Sequence, residues 1–295
     1  MNQDLLISGF SDEISSDFHT QLEVVSNLGM KYISLRGIDG KNIGDFTVDE
    51  IKENVQPRLQ KVGIGVSSIG APIGKVFVND EEGFAKQKLI LDTLCQIANL
   101  LDCDYIRIFS FYIPKGDNPD QYREEVVSKL KEYAAIAEKY NVILLHENEK
   151  DIFGDIGRRC HEILTEVGSP YFKGIFDFAN FVQCGEDTVE CYDLLKDEIV
   201  YIHIKDAVTA ESENVVCGTG EGKIPELLAR FIKSGYKGFL TLEPHLVLFD
   251  SLKDLELEDA TEIIKDNKGL DGAGGYKLQY EALLEILNKI ESEGI

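Results

Sequence analysis

Val142-Ile143-Leu144-Leu145-His146-Glu147 decides the fold of this chain: four apolar residues read as a short buried strand, and a carboxylate stands just past its end. Three later stretches repeat the design: Gly174-Ile175-Phe176-Asp177, Ile199-Val200-Tyr201-Ile202-His203 and Gly238-Phe239-Leu240-Thr241-Leu242-Glu243. Each is followed by turn residues and then a helical pattern. In a closed barrel of parallel strands such ends converge on one rim, where Glu147, Asp177, His203 and Glu243 can share a divalent metal.

Outward from these runs, strand-like and helix-like segments alternate along the whole chain. Residues 5–10 form the first apolar run, and Phe18, Leu22, Val25 and Leu28 then recur at helical spacing before Gly29 closes the segment. Strands are predicted at 32–35, 64–69 and 105–109, with helices near 48–62, 81–101 and 121–140. The four quoted runs follow, with helices near 156–167, 189–195, 225–234 and 276–290. Eight units that alternate in this way require parallel strands with crossovers, and 295 residues fit one (β/α)8 TIM barrel of roughly 250 residues plus insertions. The reading is α/β, a single domain over 1–295. An open dinucleotide-binding sheet would place Gly-x-Gly-x-x-Gly after its first strand, and Ser8-Gly9-Phe10-Ser11-Asp12 is not that turn. Residues 245–275 are too long for an ordinary connection and end in a glycine-rich run, which suggests a lid or a subunit-contact insertion after strand eight; a surface helix with a flexible turn is the plainer alternative.

With 53 acidic and 30 basic residues the net charge is −23, a field that repels phosphate backbones and anionic membranes, so neither nucleic acid nor a membrane is an expected partner. No apolar run approaches the roughly 18 residues that span a bilayer, and the first residues lack the basic and apolar parts of a secretory signal, which predicts a cytoplasmic protein. A homo-oligomer stays open. Cys95, Cys103, Cys160, Cys184, Cys191 and Cys217 contain no Cys-x-x-Cys pair and read as reduced thiols.

The chemistry such a rim supports is proton transfer next to a carbonyl. A divalent ion that bridges the carbonyl and hydroxyl oxygens of a ketose acidifies the C–H bond between them, so a carboxylate can take the proton and leave a metal-stabilised enediolate. Glu147 and Glu243 are the candidate acid/base pair, and Asp177 and His203 complete the coordination. Oxygen and imidazole ligands suit Mn, Mg, Co or Zn. Each residue also has a plain reading: Asp177 can cap the turn at Phe178-Ala179-Asn180, His203 can be a core histidine, and Glu149 competes with Glu147 because one residue at a strand end swaps the face. Capping gives no reason for all four to fall at equivalent positions.

His146-Glu147-Asn148, Asp177-Phe178-Ala179-Asn180, His203-Ile204-Lys205-Asp206 and Leu242-Glu243-Pro244-His245, with the opening Gly9-Phe10-Ser11-Asp12-Glu13-Ile14 and the turn Gly218-Thr219-Gly220-Glu221-Gly222-Lys223-Ile224-Pro225, resemble the sugar phosphate isomerase/epimerase family with the xylose-isomerase-like barrel. That family includes ketose 3-epimerases, hydroxypyruvate isomerase and inosose dehydratase. The resemblance implies Glu147, Asp177, His203 and Glu243 as metal ligands, with the two glutamates also acting as acid and base. Where many epimerases have a histidine three residues beyond the Asp, this chain has Asn180, which can bind a substrate hydroxyl but cannot transfer a proton.

Arg36, Arg107 and Lys205 are cations near the rim and, with Asn180 and His245, are candidate substrate contacts. The glycine turn after strand seven lies where barrels often bind phosphate, but Glu221 in its middle argues against an anion there. The expected function is a metal-dependent isomerase or epimerase of a sugar or sugar phosphate. An inosose-type dehydratase (a lyase), a non-catalytic sugar-binding barrel and, last, an abasic-site phosphodiesterase are the alternatives. The phosphodiesterases need three zinc ions and several histidines, and this chain has five histidines in all.

Overall fold

The computed structural model describes residues 5–209, 213–249 and 269–294. Eight parallel strands are present: β1 (Leu5–Gly9), β2 (Tyr32–Leu35), β3 (Gly65–Ile73), β4 (Tyr105–Ile108), β5 (Ile143–His146), β6 (Phe172–Asp177), β7 (Ile199–Ile204) and β8 (Gly238–Leu242). They pair in the order β1-β8-β7-β6-β5-β4-β3-β2, and a parallel bridge between Phe10 and Ser34 joins the two edges. The (β/α)8 TIM barrel expected from the alternation is therefore the observed fold, in one domain. The strands read as nearly continuous apolar runs because barrel strands are buried on both faces, by the interior on one side and by helices on the other.

The surrounding helices are α1 (Phe18–Asn27), α2 (Gln56–Val62), α3 (Glu81–Leu100), α4 (Arg123–Glu138), α5 (Gly157–Val167), α6 (Thr188–Leu195), α7 (Ile224–Lys233) and α8 (Gly272–Ser292). In α5, Cys160, Ile163, Leu164 and Val167 recur at helical spacing and are the buried face. Each such apolar side chain contributes about 1.5–3 kcal/mol on burial, as an upper bound. Asp80 starts α3 by accepting from the Gly83 amide at 2.9 Å.

Three departures from the sequence reading have local causes. The helix expected over 48–62 opens into a π turn at Ile51–Val55 before α2, where the Gln56 amide donates to Ile51 O. Pro57 has no N–H to give Glu53 and its ring crowds that carbonyl, so the helix widens by one residue. A short helix, Phe178–Gln183, follows β6 directly, because Asp177 accepts from the Asn180 amide at 2.9 Å and caps it. Finally, residues 272–275 are the first turn of α8 and not a flexible turn: Asp271 caps the helix through Gly274 N at 2.7 Å. Gly272 is required there because a Cβ would collide with the carbonyls of Glu13 and Ile14. Residues 250–268 lie outside the described residues, and most of the expected lid or subunit contact falls on them.

Candidate metal centre

Side chains two apart on a strand share a face, so each rim residue stands above a barrel-interior residue. Below Glu147, Asp177 and His203 lie Leu145, Ile175 and Tyr201, which pack together as a buried apolar cluster, and below Glu243 lies Thr241, whose Oγ1 donates to the Tyr201 hydroxyl at 2.6 Å. Register places Asp177 opposite His203 and His203 opposite Thr241 on adjacent strands. One layer up, the four expected residues meet. Their candidate ligand atoms all lie within 4.8 Å of one another, and all four residues are buried.

His203 Nδ1 is 2.8 Å from Glu147 Oε1, 3.2 Å from Glu243 Oε2 and 3.7 Å from Asp177 Oδ2. Burial alone would lower the histidine pKa, but the facing carboxylates, Glu147 foremost, hold it well above the usual value. The imidazole thus takes up positive charge among three carboxylates, the demand a divalent ion would also meet. Asp177 divides its roles: Oδ1 caps the short helix, while Oδ2 makes no hydrogen bond and faces Lys205 Nζ at 3.3 Å and His203 Nδ1 at 3.7 Å. Buried polar atoms without partners are uncommon and mark a place kept for something else. Three carboxylates and an imidazole within that span suit one cation with bonds of about 2.0–2.4 Å. The donor set fits a divalent metal.

The carboxyls are not alike. Burial raises Glu147, but His203 and Arg107 outweigh it and bring the group down to about 2. Glu243 is likewise held well below the usual range, its desolvation overcome by Lys205 and His203, whereas burial wins at Asp177 and raises it.

The cations turn inward onto these acids. Arg36, fully buried, donates through Nε to Asp12 Oδ2 at 2.8 Å, through NH1 to Glu243 Oε1 at 2.8 Å and through NH2 to Glu13 Oε1 at 3.2 Å. Arg107 NH1 donates to Glu147 Oε2 at 3.0 Å, and its NH2 to Gly70 O at 3.1 Å. Lys205 Nζ lies 3.3 Å from Asp177 Oδ2 and 3.5 Å from Glu243 Oε2. Both arginines therefore hold the glutamates in place. Glu13, Glu243 and His245 form a second tight group, but Arg36 already donates to both of its carboxylates.

His245 adopts a left-handed backbone (φ +47°), donates its amide to Glu13 Oε2 at 2.7 Å, and leaves Nε2 without a hydrogen-bond partner, 3.5 Å from both Glu13 and Glu243. Burial lowers it to about 4, so the ring is neutral, and it packs against Phe249 with centroids 5.2 Å apart. Burial raises Glu13 to about 8 against the pull of Arg36. Asn180 is committed elsewhere, its Nδ2 donating to Asn148 O at 2.7 Å. Glu149 pairs with Lys75 at 3.4 Å outside the cluster, which settles the choice between the two glutamates in favour of Glu147 as the member of the group.

Sequence reading gave no role to Asp12, Glu13 or Asp206. Two acids directly after β1 were the available signal for the first pair. Asp206 is different: its carboxylate accepts from the amides of Gly218, Gly220 and Gly222 at 2.9 Å and from its neighbour Ala207 at 3.0 Å. The six cysteines are free thiols, as expected.

A sequence profile described as xylose isomerase-like TIM barrel matches residues 22–267. The chain belongs to that family. Among curated relatives, a 3-dehydroshikimate dehydratase from Bacillus anthracis is 26% identical over 142 residues, covering 45% of this chain and 51% of the relative. A probable L-ribulose-5-phosphate 3-epimerase from Mycoplasma pneumoniae is 22% identical over 139 residues, covering 47% of this chain and 46% of the relative. The chain thus spans about half the length of the curated relatives it matches. Among solved structures, the IolI protein with a bound zinc atom has a TM-score of 0.75 at 16% identity, covering 97% of this chain and 99% of that one, a likeness of fold. No helix among the described residues is long and apolar enough to cross a membrane.

Proposed function

We propose that this protein is a divalent-metal-dependent isomerase or epimerase that transfers a proton next to the carbonyl of a small sugar-like substrate. The convergence of Glu147, Asp177, His203 and Glu243, all buried and with candidate ligand atoms within 4.8 Å of one another, carries this reading. A divalent ion bound there supplies electrophilic polarisation of the substrate oxygens, which acidifies the intervening C–H bond.

The protein's own groups then divide the work. Glu147 and Glu243 stand at the ends of strands separated by β6 and β7, so they flank a substrate lying over Asp177 and His203. Both are held ionised and can accept a proton; the one that has accepted it then serves as acid. Arg36 and Arg107 orient these glutamates, while Lys205 and the unpartnered Nε2 of His245 meet substrate hydroxyls. A second reading, loss of a hydroxyl after the same proton removal, is favoured by the alignment with a relative named as a dehydratase.

NMR in deuterated water tests the proposal, with ketoses, inososes and hydroxypyruvate supplied with and without Mn²⁺. Metal-dependent turnover with deuterium entering at the carbon beside the carbonyl is expected, with Glu243→Gln lowering kcat roughly 10²–10⁴-fold while the protein stays folded. Turnover without deuterium, or a wild-type rate in Glu243→Gln, would contradict it.

A further inference from the structure

Phosphate esters are common substrates of (β/α)8 barrels, and the loops after strands 7 and 8 with their backbone amides are where such barrels hold the phosphate. In this chain the turn after β7 carries an amide cradle, and Asp206 fills it. Four N–H groups, from Ala207, Gly218, Gly220 and Gly222, converge on that one carboxylate, which is fully buried. A Cβ at Gly220 would collide with Asp206 Oδ1, and one at Gly222 would come within 2.8 Å of it, so the turn has closed tightly around its own anion. An incoming phosphate would meet a fixed negative charge in the place that binds it elsewhere.

The side-chain cations give the same answer. Arg36 is engaged by Asp12, Glu13 and Glu243; Arg107 by Glu147 and Gly70 O through its two terminal nitrogens, with Nε alone lacking a hydrogen bond; Lys205 by Asp177 and Glu243; and Lys75 by Glu149. Five carboxyl groups (Asp12, Glu13, Glu147, Asp177, Glu243) share the cluster with three full cations (Arg36, Arg107, Lys205). One divalent ion brings the signs level.

We infer that the substrate of this centre is an unphosphorylated sugar-like ketone. The inference rests on the metal-centre reading and narrows it, since the relative named as a probable L-ribulose-5-phosphate 3-epimerase would suggest a phosphorylated sugar. Specificity here comes from an occupied anion cradle and from cations spent on the protein's own carboxylates.

Titration calorimetry of the whole protein, with and without Mg²⁺, tests it using D-ribulose, D-ribulose 5-phosphate and inorganic phosphate. The expected result is no saturable binding of inorganic phosphate below about 1 mM, and D-ribulose 5-phosphate bound no tighter than D-ribulose. Saturable phosphate binding in that range, or a phosphorylated sugar bound about tenfold or more tightly than the free sugar, overturns the inference. Asp206→Gly, checked for folding by circular dichroism, is expected to gain phosphate binding; a folded variant that gains none overturns the role given to Asp206. Failure of the metal-centre reading shows separately, as no stabilisation by metal and no deuterium uptake, because the anion titrations without metal do not depend on it.

Discussion

Two polar layers sit one above the other inside this barrel, and they are finished differently. In the lower, Ser8, Ser34, Ser67, Ser68, Tyr201 and Thr241 are buried hydroxyls, and each has a partner: Tyr201 donates to Ser67 at 3.0 Å or Ser68 at 3.1 Å, Ser34 meets Ser68 at 2.7 Å, and Ser8 meets Ser67. In the upper, Arg107 Nε, Asp177 Oδ2, His203 Nε2 and His245 Nε2 are buried with no hydrogen-bond partner. A closed hydroxyl network costs little and fixes one packing of the strands, whereas buried charged groups left partly unsatisfied are expensive and persist where a ligand completes them. On the function proposed above, the lower layer is scaffold and the upper layer is the site.

That contrast orders the expected effects of breaking each layer. The largest loss of stability comes from Arg36→Met, which strips three buried carboxylates of their shared cation; a cost of about 3–5 kcal/mol is expected in urea unfolding. A loss under about 1 kcal/mol would mean that the acids of the upper layer do not depend on it. Tyr201→Phe removes the hydroxyl at the hub of the lower layer and should cost about 1–3 kcal/mol, with metal binding retained. If instead it abolished metal binding, the two layers would be one functional unit.

The smallest effect is a slope. Glu13 is raised from 4.5 to about 8 by burial, so between these values the folded protein holds a proton that the unfolded chain has lost. Its contribution to stability therefore falls as pH rises from about 4.5 to about 8. Glu13→Gln should remove that component, giving a shallower decline in melting temperature across this window, and an unchanged slope would show that Glu13 is already ionised in the fold.

Much of the barrel and the heart of the upper layer were legible in the sequence, because both are written in local pattern. Apolar runs capped by Glu147, Asp177, His203 and Glu243 mark strand ends, and strand ends of a barrel meet by geometry. The lower layer was not legible: serines at 8, 34, 67 and 68 look like ordinary strand residues until closure brings them beside Tyr201. Arg36 was read as a substrate contact, since its partners Asp12 and Glu243 lie 24 and 207 residues away and only the fold shows that it serves them. Asp206 was hidden for a related reason: a side chain that bonds amides 12 to 16 residues ahead leaves no periodic trace, and the glycines of the cradle read as a plain turn. Glycines at 272, 274 and 275 suggested mobility, yet they start a helix: Gly272 packs against the turn after β1, and the Gly274 amide is capped by Asp271.

The plain reading of Asp177 as a helix cap and its reading as a metal ligand part most cleanly in one substitution, Asp177→Asn, because asparagine caps a helix about as well as aspartate but is a far weaker ligand for a divalent ion. Mn²⁺ binding to the wild type and to this variant, followed by electron paramagnetic resonance of the free ion, is the direct measurement. One ion per chain in the wild type, and at least about tenfold weaker binding in a variant that melts at nearly the same temperature, is the predicted result. No saturable binding in the wild type, or equal binding by both proteins, would contradict a metal centre built from these four strands.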